Sequence, residues 1–158
     1  MALTELNYVE NGSPEVARTI RPSSITASSE YSSAYVKAYA FNYNCTVNGW
    51  GPTSADNNPY IIADLGSAKD VKYITFGLVN SGDATSLSAV SDKTLDIYTS
   101  SDGNYSASPD VKQVMTYSGA VGHCVYAIPI NKNVRYIKFL LEGSNHANMQ
   151  GYKVEIYG

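Results

Sequence analysis

Period-two alternation, carried in short runs with no long amphipathic helix among them, most narrows the folds open to this chain. In 134–142, Ile137, Phe139 and Leu141 fall on one face, while Arg135, Tyr136 and Lys138 lie off it. In 151–157, Val154 and Ile156 alternate with Lys153, Glu155 and Tyr157. Side chains along a strand point to opposite faces in turn, so this pattern belongs to a sheet with one buried side. Comparable runs, bounded by Gly, Asn, Ser and Pro, predict further strands at roughly 6–10, 15–20, 24–28, 59–65, 70–79, 93–99, 111–117 and 124–130. One short helical turn fits Ser33 to Ala40. Many short strands joined by polar turns predict an all-β fold, an antiparallel β-sandwich of the jelly-roll kind.

The connections are as informative as the strands. Long ones fall at about 29–58, 80–92, 100–110, 118–123 and 143–150. Ordering such segments is costly, and loops of this length usually carry function. No repeat, low-complexity tract or linker divides the 158 residues, which suits one domain. Charged residues are only 16% of the chain against 44% hydrophobic, a balance that buries a core rather than staying disordered. The net charge of -3 without a basic patch argues against nucleic acid as a partner. No apolar run approaches the roughly 20 residues needed to cross a bilayer, so membrane insertion is not expected.

Catalytic motifs are missing from the sequence. His123 and His146 have no metal-ligand spacing, and no nucleophile elbow, phosphate loop or dinucleotide fingerprint occurs. The acidic residues fall in turns or point outward on strands, as Asp96 and Glu155 do, which predicts solvated or turn-capping carboxylates. His123 closes a Gly-rich hairpin and reads as an exposed turn residue. Cys45 and Cys124 could form a disulfide, but their spacing does not decide it. The chain therefore reads as a non-catalytic domain. Its 14 Tyr, against three Phe and one Trp, suit strands and also loop surfaces that offer a flat apolar face to a polar ligand.

Several blocks occur in a fixed order. They are Ile25-Thr26-Ala27-Ser28-Ser29-Glu30, Ala40-Phe41-Asn42-Tyr43-Asn44 followed by Trp50, Tyr60-Ile61-Ile62-Ala63-Asp64-Leu65-Gly66, and Val71-Lys72-Tyr73-Ile74. Leu95 through Gly103, Val134-Arg135-Tyr136-Ile137-Lys138-Phe139 and the closing Val154-Glu155-Ile156-Tyr157-Gly158 complete the series. In this order the blocks resemble the discoidin superfamily, the coagulation-factor type C domains, and within it the family 32 carbohydrate-binding modules. The resemblance covers about 23–158 and implies a galactose-binding-domain-like sandwich. Residues 1–22 form a lead that an extra strand of the same domain, or an attachment segment, would explain. Read directly, Gly66 allows a positive φ after Asp64-Leu65, and Asp102-Gly103 is a tight-turn signal.

The resemblance also implies ligands met by loops at one end of the sandwich. Tyr31 and Tyr35 are the candidate stacking residues, and Asn80, Asn145, His146 and Asn148 the candidate hydrogen-bonding residues. Trp50 is expected in the core. Similar domains commonly hold a structural calcium, but here Asn42 stands where a loop Asp is usual and Lys153 where an acidic strand residue is usual. Calcium wants oxygen ligands with negative charge. A degenerate site near Asn42, Thr46 and Lys153, without metal or other cofactor, is the expectation; Glu155 could supply the carboxylate only if the alignment slips by two residues. The implied partner is a glycan. The alternative is a structural or adhesion module, such as a virion or tail-fibre component, that meets other protein subunits. Met1 to Glu10 has neither a basic nor an apolar leader segment. An extracellular, cell-surface or virion-surface setting, as part of a larger secreted or assembled protein, is expected.

Overall fold

A computed structural model of the chain describes residues 18–42, 49–79, 93–115, 123–142 and 151–158. Its strands are β1 (Thr19–Ile20), β2 (Ser24–Ala27), β3 (Tyr60–Val79), β4 (Lys93–Ser100), β5 (Val111–Met115), β6 (His123–Glu142) and β7 (Tyr152–Tyr157). The expected helical turn is a 3-10 turn over Lys37–Phe41, which buries Ala40 and Phe41. All described pairings are antiparallel.

The runs predicted at 59–65 and 70–79 are one bent strand, and so are those at 124–130 and 134–142. The bend makes the sandwich. The first half of β3 pairs with β2 and with the second half of β6, which continues to β4 and β5. The second half of β3 pairs with the first half of β6 and with β7, which carries β1 on its outer edge. One path of hydrogen bonds thus folds into a five-stranded and a four-stranded layer, with β3 and β6 in both. The described end of the lead contributes β1, and Arg18 and Gly158 exchange both backbone bonds beside it.

Alternation fills the space between the layers. Ile61, Ala63, Leu95, Ile97, Ile137, Phe139 and Leu141 face inward from one sheet, and Ile74, Phe76, Val154 and Ile156 from the other. Phe76 stacks on Phe139 across the gap, with ring centres 6.1 Å apart. Register breaks fall between Asp64 and Lys69 and between Val71 and Tyr73. At the second, β3 advances two residues while β6 advances three, from Lys132 to Pro129, so the inserted residue lies in β6, where Asn131 takes φ 50°.

The corner is held chemically. Gly66 takes φ 80°, a conformation costly for any residue with a Cβ, and a Cβ there would lie 2.4 Å from Ser23 Oγ. Its N–H donates to Asp64 Oδ1 at 2.8 Å. Arg135 clamps the same carboxylate, Nε to Oδ1 at 2.9 Å and a terminal nitrogen to Oδ2 at 3.1 Å. The Asp64-Leu65-Gly66 and Arg135-Tyr136-Ile137 blocks are therefore two halves of one corner. The Asp102-Gly103 turn also forms: Gly103 takes φ 92°, and Ser100 Oγ accepts from the N–H groups of Asp102 and Gly103.

Two expectations need correction. Asp96 points outward from its sheet, but it is only 3% exposed rather than solvated. Its cross-strand neighbours Lys112 and Leu140 cover it, and burial pushes its carboxyl up against the pull of Lys112. His123 is the first residue of β6, opposite Val79, rather than a turn residue. The strand is already paired there.

The corner clamp makes a pH prediction. The Arg135 hydrogen bonds and the Gly66 N–H hold the Asp64 carboxyl below its ordinary value. A depressed carboxyl adds stability that is complete above the unfolded value of about 3.9 and is lost as pH falls through the folded one. Arg135→Met should therefore lower the urea midpoint at neutral pH, and the gap to wild type should close as pH falls through the lowered folded value. A gap that stayed constant with pH would show that Arg135 acts by packing alone.

Candidate functional site

The bends decide where the loops emerge. β3 starts at Tyr60 and ends at Val79, and β6 starts at His123 and ends at Glu142, so both chain ends of each strand lie away from its corner. The strand ends that flank 28–59, 80–92, 116–122 and 143–150 all lie at this one end of the sandwich. The 100–110 connection leaves from the opposite end, next to the corner, and is not part of the rim.

The described part of the rim is the segment after β2. Asp56 organises it: its Oδ2 accepts from the hydroxyls of both Ser28 and Ser29, and its Oδ1 accepts from the Asn58 N–H. The two serine oxygens in turn accept from the N–H groups of Tyr60 and Thr53. Backbone at and beyond the end of the sheet ladder thereby finds its partners. Trp50 is fully buried, stacks near Tyr152 with centres 5.7 Å apart, and donates its indole N–H to Ser29 O at 2.8 Å. It is a core residue, as expected. Trp50 exchanges backbone bonds with Tyr152 of β7, and the approach leaves no room beside it: a Cβ on Gly49 would lie 2.3 Å from the Gly151 carbonyl carbon.

On this support stand the two candidate aromatics. Tyr31 donates its N–H to Gly51 O, and Gly51 returns a bond to Tyr35 O. The rings of Tyr31 and Tyr35 meet edge to face with centres 6.0 Å apart, and Tyr31 is 49% exposed. Glu30 accepts from the Lys37 N–H and closes the turn between them and the 3-10 segment. The structure brings these two residues together at the rim. Asn80, Asn145, His146 and Asn148 lie outside the described residues, as do Cys45 and Thr46; the strand ends next to them open onto the same rim. Asp56 was not a sequence candidate. Its signal was available in the Ser28-Ser29 pair, which needed an acceptor, but nothing in the sequence says which of the many acidic residues supplies it.

The region where the family resemblance implies calcium can be tested for fit. Lys153 Nζ donates to the backbone carbonyl of Asn42 at 2.9 Å, so an ammonium sits where a metal would seek an oxygen. Glu155 accepts from the Tyr157 hydroxyl and from Thr75, on the outer side of β7, and is engaged away from Asn42. Tyr152 is buried among aromatic rings, and burial pushes its phenol well up. Among the described residues here, the Asn42 carbonyl is an oxygen calcium accepts, but it is taken by an ammonium and no carboxylate stands beside it.

In a sandwich built on two shared bent strands, with the strand ends that flank most long connections at one rim, the sheets are the scaffold of that rim. The chain belongs to the F5/8 type C domain family, whose profile matches residues 24–156. Solved structures share the fold. The family 32 carbohydrate-binding module of C. perfringens NanJ in complex with galactose is 16% identical, with a TM-score of 0.64 over 90% of this chain and 100% of that one. A Clostridium perfringens CBM32 domain in complex with GalNAc-β-1,3-galactose is 12% identical, with a TM-score of 0.67 over 89% and 100%. Chitosan-binding module 1 from the chitosanase/glucanase of Paenibacillus sp. IK-5 is 21% identical, with a TM-score of 0.57 over 88% and 97%. No curated protein matches the chain in sequence.

Removing the carboxylate that organises the rim should loosen it without opening the core. Asp56→Ala is expected to cost about 1–3 kcal/mol, because two hydroxyls and an N–H lose their acceptor. Hydrogen exchange should then rise at Thr53 and Tyr60 and stay unchanged at Ile137 and Phe139.

Proposed function

We propose that this chain is a non-catalytic carbohydrate-binding module that takes a mono- or oligosaccharide at the rim, in an extracellular or surface setting. The observation that carries this reading is the exposed Tyr31 ring, braced by Tyr35 and mounted on backbone that Asp56 and Trp50 hold in place. A sugar ring presents an apolar C–H face that a rigid aromatic covers at little entropic cost, and hydroxyls that need fixed polar partners. The Asn and His residues of 80–92 and 143–150 are the proposed partners, since the adjoining strand ends open toward the same rim. Neighbours in fold that were solved with galactose, with GalNAc-β-1,3-galactose or as chitosan-binding modules support a sugar as the ligand. A shallow rim captures few ligand atoms, so affinity should be modest.

A glycan array followed by calorimetric titration tests this. Tyr31→Ala should weaken the best sugar about tenfold, the loss expected for one stacking contact, with the melting temperature unchanged. No binding to any sugar, or full affinity in that variant, would overturn the reading.

We further propose that the module needs no calcium. The Lys153 ammonium on the Asn42 carbonyl supports this, as it brings its own positive charge to the oxygen. Millimolar calcium or a chelator should then move the melting temperature by less than about 1 °C, whereas a ligand that binds the folded state tightly would raise it by several degrees.

A further inference from the structure

The outer face of the five-stranded layer carries a cluster that the rim does not use. Lys138 points outward from β6, opposite Ile62 of β3 and Tyr98 of β4. Its ammonium stands 4.8 Å from the centre of the Tyr60 ring, 5.6 Å from that of Tyr98 and 5.8 Å from that of Tyr105. Tyr105 arrives from the connection at the far end of the sandwich and meets Tyr98 edge-on, with centres 6.3 Å apart. All four side chains are half-buried, so the group is packed before any ligand arrives.

The charge in this cluster has no ion-pair partner among the described residues. Nearby cations have carboxylate partners: Arg135 has Asp64, Lys112 has Asp96 and Glu142, and Lys132 has Asp110. Among the described residues no carboxylate pairs with Lys138. Three π faces hold an ammonium in position, yet they leave its N–H donors without a lone pair. The hydroxyls of Tyr60, Tyr98 and Tyr105 likewise make no hydrogen bond within the described residues.

We propose that this face is a second binding site, for a sugar that carries a carboxylate, such as a uronic acid unit of a polysaccharide. The carboxylate would pair with Lys138, a tyrosine ring would cover the C–H face of the sugar, and the phenol hydroxyls would meet its hydroxyls. The ammonium is already confined by the rings, so ordering it on binding costs little. A nucleic acid strand fits less well, because it needs many phosphate contacts and, among the described residues, this face offers one unpaired cation on a chain of net charge -3. The site lies on the sheet face and stands whether or not the rim binds sugar.

Calorimetric titration of the whole chain with a short oligogalacturonate, and with the same oligosaccharide after reduction of its carboxyls to neutral galactose units, tests the proposal. Wild type should bind the acidic form at least about tenfold more tightly, with affinity falling as salt is added. Lys138→Met should remove that preference, Lys138→Arg should keep most of it, and in Tyr31→Ala, whose rim is weakened for either form, a tighter grip on the acidic form should persist. Tyr105→Ala, in a connection outside both sheets, should weaken the acidic form several-fold and guards against a variant at 138 that fails to fold. Equal binding of the two forms, no binding of the acidic form, an unaffected Lys138→Met, or loss of the preference in Tyr31→Ala would each overturn it. The last result would place the acidic sugar at the rim and leave the carbohydrate reading intact.

Discussion

Both layers of this domain depend on two strands turning the same corner. β3 and β6 run through the five-stranded sheet, bend together, and continue through the four-stranded one, paired with each other on both sides of the bend. At the bend the ladder breaks, and backbone groups need other partners. Gly66 supplies the conformation, Asp64 accepts the freed N–H, and Arg135 on the neighbouring strand grips the same carboxylate with two bonds. A partly exposed ion pair contributes little energy through its charges alone. Its value here is geometric, since a bidentate fork allows few orientations and so sets the angle at which one layer folds over the other.

That angle places the two proposed surfaces. Because each long strand doubles back, the connections between strands are divided between two ends. Most of the long ones emerge at the end away from the corner, and the connection that carries Tyr105 emerges beside it. The rim is irregular backbone tied down by side chains, with Asp56, Ser28, Ser29 and the Trp50 indole doing what ladder bonds do in the sheets. The outer sheet face is the reverse: regular backbone that displays side chains in rows.

How far the residues spoke for themselves can be judged one at a time. Period-two patterning revealed β7 and the second half of β6, and it named Ile137, Phe139, Leu141, Val154 and Ile156 as core, all of which are buried. It could not show that 59–65 and 70–79 are one strand, because the stretch from Gly66 to Asp70 reads as a turn and only pairing with β6 carries the strand across it. The outward position of Asp96 was read correctly and its burial was not, since cover comes from Lys112 and Leu140 on neighbouring strands. Tyr31 and Tyr35 were readable as a pair because they are close in sequence. Lys138 with Tyr60, Tyr98 and Tyr105 was not, because these residues come from three strands and a distant connection.

The amino-acid sequence alone settled the fold class, since alternation, turn residues and the order of the blocks are local and survive in one dimension. It also marked Gly66 and Gly103 as places where the backbone needs no Cβ, though Gly66 proves to be a strand corner rather than a turn. Tertiary structure decided which charges meet. The Asp64 clamp on Arg135, the Asp56 bridge to Ser28 and Ser29, and the ammonium of Lys153 on Asn42 join residues far apart in the chain. Electrostatic and hydrogen-bond partners are chosen by distance in space, and only the folding of the two sheets over their shared corner sets those distances.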